Sequence, residues 1–288
     1  MHFNLKKITI VKSIFCPNDT YFDINCNAIK NLFELLNRIN QEKMNSKIHS
    51  EMNPEMNFRF NLVFIGWTKK ELYQGKIKIC AEKYSENITS IQYDLWKLNY
   101  GKYHLFNKLH NLIDDEYDYL FYLDHDIVFD LTKITIFDDL INLFNHKINN
   151  KLIGLVSPYQ LEDNRHKITI FEPENEIDID GNKVYYISNS DYGSIACGCI
   201  FVSHDCFKLL NGFNNVSVYG LDDYNIIKKI CANNFVPIMT PHITIIHPFD
   251  KNDKYSEWKI NTLKSLMANK DFNFQKSLEL SINLWNDL

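Results

Sequence analysis

No apolar run in this sequence approaches the roughly 20 residues a helix needs to cross a bilayer. The longest, such as Leu62 to Trp67, ends after a turn or two. Positive charge is not in excess either: the net charge is -5, which argues against a broad nucleic-acid face. The seven cysteines follow no regular framework, and Cys197-Gly198-Cys199 has no second pair at zinc-finger spacing. Buried free thiols in a reducing, cytoplasmic compartment are therefore expected. Lys6, Lys7 and Lys12 interrupt the N-terminal apolar stretch, so it reads as a first strand and not as a signal peptide. Alanine, glycine and arginine are sparse beside asparagine, isoleucine and lysine, a bias of AT-rich coding that carries no chemistry. No internal repeat or low-complexity linker breaks the chain.

What is present is a core. A hydrophobic fraction of 45% over 288 residues suits one large α/β domain, alone or with an appendage. Lys7 to Phe15 reads as a strand. Ala28, Leu32, Leu35, Leu36 and Ile39 form a helical stripe, Gln41 to Glu55 reads as a polar loop, and Phe58 to Trp67 is a second strand. That spacing is a βαβ unit, which implies a parallel sheet with a right-handed crossover. A weaker strand over Ile88 to Leu95 precedes a helix opened by Asn99-Tyr100-Gly101, with Leu105, Phe106, Leu109, Leu112 and Ile113 on its buried face. A helix around Phe137 to Ile148 and a strand from Leu152 to Pro158 follow the next strand. Asp180-Gly181, between alternating runs, signals a β-hairpin protruding from the segment 159–192, a loop able to shape a substrate cleft. Ser203 is a candidate N-cap, Val236 to Met239 and Ile243 to Ile246 read as two strands, and Asp253 to Leu288 is an amphipathic helical region expected on the sheet's flank.

The chemistry gathers at Asp124-His125-Asp126. Leu120, Phe121, Tyr122 and Leu123 make a buried strand that delivers two carboxylates one residue apart, and the chain turns apolar again at Ile127. Isolated, the pattern is a solvated turn or a cap as readily as a site. At the carboxyl end of a sheet strand, where α/β ligands bind, two acids can share a divalent cation that faces a phosphate. Asp222 and Asp223 start a later helix, a placement the helix dipole favours and one expected to keep Asp223 ionised and weakly basic. His247, at a strand end, is a core or surface histidine if read alone.

In order and context these groups resemble nucleotide-sugar glycosyltransferases of the GT-A fold, most closely the family-2-like inverting group. Asn99-Tyr100-Gly101 with Asn107 and Lys108 is similar to that family's Asn-x-Gly…Asn helix. Asp124-His125-Asp126 resembles its Asp-x-Asp motif. Gly198 to Phe213 resembles its Gly-rich strand, helix and Gly-Gly-Phe turn, with Asn211 where the first of those glycines usually sits. Gly220-Leu221-Asp222-Asp223 matches its acceptor motif, and His247 its late metal histidine.

The resemblance implies an α/β fold of GT-A (Rossmann-like) type: a mixed, mostly parallel sheet flanked by helices, with a β-hairpin insertion and a C-terminal helical segment. It implies a transferase domain over residues 1–250, with 1–130 the nucleotide-sugar half and 131–250 the acceptor half carrying the 159–192 hairpin. Residues 251–288 would be a helical extension on the same domain. The implied activity is hexosyl or N-acetylhexosaminyl transfer from a nucleotide sugar, a UDP-sugar by default, to a glycan, glycoprotein or small hydroxyl acceptor. Mn2+ or Mg2+ would be held by Asp124, Asp126 and His247. Phe15, Pro17, Asn107, Lys108, Asp124 and His125 would contact the donor. Asp222, Gly198 and Tyr219 would contact the acceptor, and Asp223 would act as base in an inverting displacement. A retaining transferase, a haloacid-dehalogenase-type phosphatase and a non-catalytic glycan-binding module are the alternatives; several elements precede Asp124, which disfavours the phosphatase.

Overall fold

The computed structural model describes residues 5–49, 57–84, 88–113, 116–161, 170–171, 175–188, 194–214, 217–248, 253–269 and 271–287. The first half alternates strand and helix: β1 (Leu5–Cys16), α1 (Asp19–His49), β2 (Asn57–Thr68), α2 (Glu71–Glu82), β3 (Ser90–Trp96), α3 (Gly101–Leu112) and β4 (Tyr119–Leu123). Then come β5 (Val128–Phe129), α4 (Ile136–Leu143), β6 (Lys147–Ile148), β7 (Lys151–Leu161), β8 (Ile170–Phe171), β9 (Asn175–Ile179), β10 (Asn182–Tyr186), β11 (Ser194–Ile195) and β12 (Cys199–Ser203). The chain closes with α5 (His204–Leu209), α6 (Asp222–Ala232), β13 (Phe235–Ile246), α7 (Asp253–Ala268) and α8 (Phe274–Asp287).

The main sheet runs β3-β2-β1-β4-β12-β7-β13-β10-β9, with β5 on β13 and β6 on β7. Strands β3, β2, β1 and β4 are mutually parallel, which requires crossovers and puts helices on both faces. β12 is antiparallel to both β4 and β7, so the sheet is mixed. Burial on two sides explains why β4 reads as an unbroken apolar run: Leu120, Phe121, Tyr122 and Leu123 are all buried. One face packs against α1, α2 and α4 through Leu32, Leu36, Ile77 and Phe137. The other packs against α3, α5 and α6 through Phe106, Leu109, Phe207 and Ile227. The acidic turn therefore sits near the middle of a three-layer sandwich, at the strands' carboxyl edge.

Several expected boundaries move, each for a local reason. α1 continues to His49 because Gln41 to His49 is polar but contains no helix breaker; the next proline after Pro17 is Pro54. α4 ends at Leu143, and Lys147–Ile148 is a strand antiparallel to the start of β7. Asn149 and Asn150, at φ 50° and 63°, supply the tight turn, a conformation asparagine tolerates. The two strands expected near the end are one, β13, with a register break between Thr240 and Thr244 where Pro241 has no N–H to pair. The hairpin forms at Asp180–Gly181, but β10 pairs with β13, so it extends the central sheet instead of projecting from it. Residues 162–169, 172–174 and 189–193 of that segment lie outside the described residues.

The exit from the acidic turn is fastened from α1. Asn31 Nδ2 donates to Phe129 O (3.1 Å), and Phe129 N donates to Asn31 Oδ1 (2.7 Å). Asn31→Leu leaves a backbone donor and acceptor unpaired, at about 1–3 kcal/mol each when buried. Thermal unfolding should show Tm lowered by roughly 4 °C or more. An unchanged Tm would mean that water replaces both bonds.

Candidate functional site

A cleft of about 680 Å3 opens along the carboxyl ends of the central strands. Ser13, Ile14 and Phe15 from β1, Trp67 from β2, Trp96 from β3, Asp124 to Asp126 after β4, Gln160 from β7 and His247 after β13 all line it. This is the edge at which α/β sheets bind ligands.

The turn after β4 is held from every side. Lys12, a lysine in β1 that is 1% exposed, donates to Asp124 O at 2.5 Å. Burial pulls its pKa down to about 8 even though Asp126 and Asp124 favour its charge. Asp124 N donates to Gly198 O (2.7 Å), and Tyr122 OH donates to Asp124 Oδ1 (2.6 Å). Gly198 sits where the break between β11 and β12 passes beside the acids. A Cβ there would lie 3.0 Å from Asp124 Oδ2 and 3.3 Å from His247 Cε1, so only glycine fits without displacement.

Asp126 is 9% exposed, and its Oδ1 has no hydrogen-bond partner. That oxygen lies 3.4 Å from His247 Nε2. Burial opposes its ionisation, yet His125, His247 and Lys12 together hold its carboxyl well below the usual carboxylate range. His247 Nδ1 is 3.0 Å from Gln160 Oε1, a carbonyl that can only accept, so Nδ1 carries a proton and Nε2 turns its lone pair or a second proton toward Asp126. Burial disfavours the imidazolium, but Asp126 and Asp124 outweigh it and raise the His247 pKa.

The opposite wall comes from α6. Leu221 adopts φ 59°, an unfavourable region for a bulky residue, and this kink turns Asp222 and Asp223 into the cleft. α3 approaches the same wall closely: Asn99 Oδ1 accepts from Gly101 N, and a Cβ on Gly101 would meet Val218 O at 2.3 Å. The approach inserts Lys102 between the walls, with Nζ 3.5 Å from Asp124 Oδ2, 3.7 Å from Asp222 Oδ2 and 3.5 Å from Asp223 Oδ1. Burial and neighbouring Asp222 raise the Asp223 pKa to about 6, against the counter-pull of Lys102 and of an N–H from Cys197. Desolvation and Asp222 thus outweigh Lys102 and the Cys197 N–H, and the carboxyl holds its proton more tightly than its place at a helix start alone implies.

A third wall is α7, which crosses the mouth instead of lying on the sheet's flank. Its Tyr255 ring sits 5.4 Å from Phe15 and is stacked 5.7 Å from Trp258, and Trp258 stands 5.7 Å from Tyr219. Lys259 caps the Tyr255 ring at 4.0 Å. α8 anchors the arrangement, because Ser277 Oγ accepts from Val218 N at 2.9 Å.

Of the residues expected at the site, the cleft brings together Phe15, Asp124, His125, Asp126, Gly198, Tyr219, Asp222, Asp223 and His247. Pro17, Asn107 and Lys108 do not line it. Asn107 instead clamps the Phe213 backbone, donating to its carbonyl and accepting from its N–H, both at 2.9 Å. None of the described residues 175–188 of the hairpin reaches the cleft. Lys12, Lys102, Gln160, Tyr255 and Trp258 escaped the sequence reading. For Lys12 and Lys102 a signal existed: one is a lysine inside an apolar strand, the other a cation in the first turn of a helix, where the dipole disfavours it.

Two groups suit a divalent cation. Asp126 Oδ1 is a buried acceptor without a partner, and His247 Nε2 faces it with its tautomer set by Gln160, the usual support for a metal-binding imidazole. Asp124 is engaged elsewhere, with Oδ1 accepting from Tyr122 OH at 2.6 Å and Oδ2 lying 3.5 Å from Lys102 Nζ. Among the described residues no three His, Cys, Asp or Glu side chains form a complete ion cage, so remaining ligands would come from water or a bound phosphate.

No protein-family model and no curated protein sequence matches this chain. Solved structures do. A mannosyltransferase from Pyrobaculum calidifontis, PcManGT, in complex with GDP-Man and Mn2+, aligns over 96% of this chain and 68% of its own at a TM-score of 0.54 and 10% identity. An inositol-1-phosphate CTP transferase from T. maritima aligns over 90% and 96% with a TM-score of 0.47 and 13% identity. An active-site mutant of LgtC aligns over 69% and 57% with a TM-score of 0.30 and 14% identity. The mannosyltransferase likeness shows the GT-A-like, Rossmann-type α/β fold expected from the motifs.

The raised pKa of Asp223 has a thermodynamic consequence. Its pKa moves from 3.8 to about 6, so the folded state binds a proton more tightly than the unfolded chain. Stability therefore falls as pH rises across that window, and above it the ionised carboxylate is a standing cost. Asp223→Asn should raise Tm at pH 7.5, with the gain shrinking as pH falls from about 6 and gone below about 4. An equal or lower Tm at pH 7.5 would contradict this electrostatic picture.

Proposed function

We propose that this chain is a metal-dependent glycosyltransferase that moves a hexosyl or N-acetylhexosaminyl group from a nucleotide sugar to a hydroxyl of a glycan, glycoprotein or small acceptor. The observation that carries the reading is the meeting of two acid pairs across one cleft, Asp124 and Asp126 with His247 on one wall, Asp222 and Asp223 on the other. The likeness to a structure that holds GDP-Man and Mn2+ supports it. Residues 1–250 would form the transferase domain, and the extension 251–288 would complete its cleft through α7.

In this reading the donor lies along the carboxyl ends of β1 and β4, with its nucleoside against Phe15 and His125 and its ribose near Asp124. A UDP-sugar is the first donor to test. Mn2+ or Mg2+ held by Asp126 and His247 would neutralise the charge that develops on the departing diphosphate. Asp223 accepts the proton of the acceptor hydroxyl as that oxygen attacks the anomeric carbon, and Asp222 holds a neighbouring hydroxyl. Tyr219 and Gly198 bound the acceptor's side of the cleft. A base on the acceptor wall, opposite the diphosphate, fits a single in-line displacement with inversion.

Binding and turnover test separate parts of this. UDP should raise Tm by several degrees in Mn2+ and not in EDTA, and Asp126→Ala should remove the cation-dependent part while the protein stays folded. UDP affinity that is the same with and without EDTA would sink the metal assignment. Transfer should need ionised Asp223, so kcat should fall as pH drops below about 6. Asp223→Asn should lower transfer by roughly 10²–10⁴-fold with donor binding kept. Proton NMR of the first product from an α-linked donor should show a β linkage; an α product would put the chain among retaining enzymes.

A further inference from the structure

One charged group in the cleft has no task in the chemistry above. Lys102 stands in the first turn of α3, where the aligned peptide dipoles disfavour a cation, and no acid of that turn offsets it. Its side chain is only 16% exposed. Such a placement is stable only if the surroundings supply the compensation, and they do so unusually evenly. Besides the three carboxylates at 3.5–3.7 Å, Nζ lies 3.3 Å from Cys197 O and 5.5 Å over the Tyr122 ring. None of these contacts is a short hydrogen bond. The ammonium stands among four oxygens contributed by three separate pieces of chain: the turn after β4, the break before β12, and the start of α6.

We propose that Lys102 is a positioning residue that bridges the donor-side acid Asp124 to the acceptor-side pair Asp222 and Asp223 and holds the Asp223 carboxylate at the point of transfer. The assignment of that point rests on the glycosyltransferase reading; the bridge itself rests on the contacts. Lys102 neither gives nor takes the transferred proton. Burial alone would lower its pKa, but Asp124, Asp223, Tyr122 and Asp222 raise it well above the ordinary lysine value, so the charge is fixed. Its flexible stem and three rotatable N–H donors let it stay on Asp223 while that carboxylate turns toward an acceptor hydroxyl, which a rigid guanidinium fork would do less well. The bridge also explains why Gly101 is packed against Val218: a Cβ at that approach would push Lys102 away from α6.

The test uses the full chain with Lys102→Met, Lys102→Arg, Asp223→Asn and the double variant Lys102→Met with Asp223→Asn. In transfer assays Lys102→Met should lose about 10²-fold in kcat with donor KM little changed, the cost of a misplaced reacting group. Lys102→Arg should recover part of that loss. A thermal-unfolding cycle at pH 7.5 reads the bridge without any turnover. Asp223→Asn should raise Tm by about 3 °C more in the Lys102→Met background than in the wild type, because the acid there has lost its cation. Wild-type kcat in Lys102→Met, or strictly additive Tm changes, would overturn the proposal. If the wild type turns over no nucleotide sugar, glycosyl transfer fails as a reading and the cycle alone decides: coupling supports the bridge, and additivity removes it.

Discussion

Three carboxylates and a partnerless carboxylate oxygen converge at the edge of a sheet whose interior is almost wholly apolar, and anions in that position are costly unless each is answered. The answers come from far along the chain. Lys12 reaches up from β1 to the Asp124 carbonyl, Tyr122 holds one Asp124 oxygen, and Lys102 faces the other. His247 faces Asp126 from the end of the last strand. Local propensity favours none of the cationic placements. Lys12 occupies a strand position suited to Val or Ile, and Lys102 a helix start suited to Asp or Ser. Such conflicts between local rule and global fold are expected where a structure serves chemistry.

The sheet order makes the convergence possible. β12 enters antiparallel between β4 and β7, so the break that carries Gly198 lies directly beside the acidic turn. β13 then runs parallel to β7 and ends at the same edge, bringing His247 within reach of Gln160. α6 is aimed by the left-handed Leu221, and the close contact of Gly101 with Val218 pulls α3 against it. The C-terminal helices complete the enclosure with an aromatic wall, Tyr255 on Phe15 and Trp258 beside Tyr219. The cleft thus carries charged groups and aromatic rings together, the lining that the proposed nucleotide-sugar donor calls for.

Much of this was legible in the residues. The apolar run before Asp124 announced a buried central strand, the stripe from Ala28 to Ile39 announced its covering helix, and Asp180-Gly181 marked the hairpin. Periodicity and turn chemistry are local, and these features are local. The sequence was least informative where a partner is distant. Nothing near Asn107 reveals that it is occupied by the Phe213 backbone. The rise in the Asp223 pKa comes from burial and Asp222 together, against Lys102 and Cys197, and both of these opposing groups are distant in sequence. The amphipathic pattern of Asp253 to Ala268 predicts that α7 has an apolar face, but not that this face meets the cleft. Polar composition misled once, in Gln41 to His49, because polarity ends burial and not helicity.

The central claim is that the pair formed by Asp126 and His247 marks where a cation and a diphosphate meet. Diffraction from crystals soaked with UDP and Mn2+, collected at the manganese edge, tests it most directly. The account predicts an anomalous peak bound to Asp126 and His247, with the diphosphate completing its coordination and Lys102 still on Asp223. A peak at Asp222 and Asp223 instead, or nucleotide bound with no manganese beside Asp126, would contradict it.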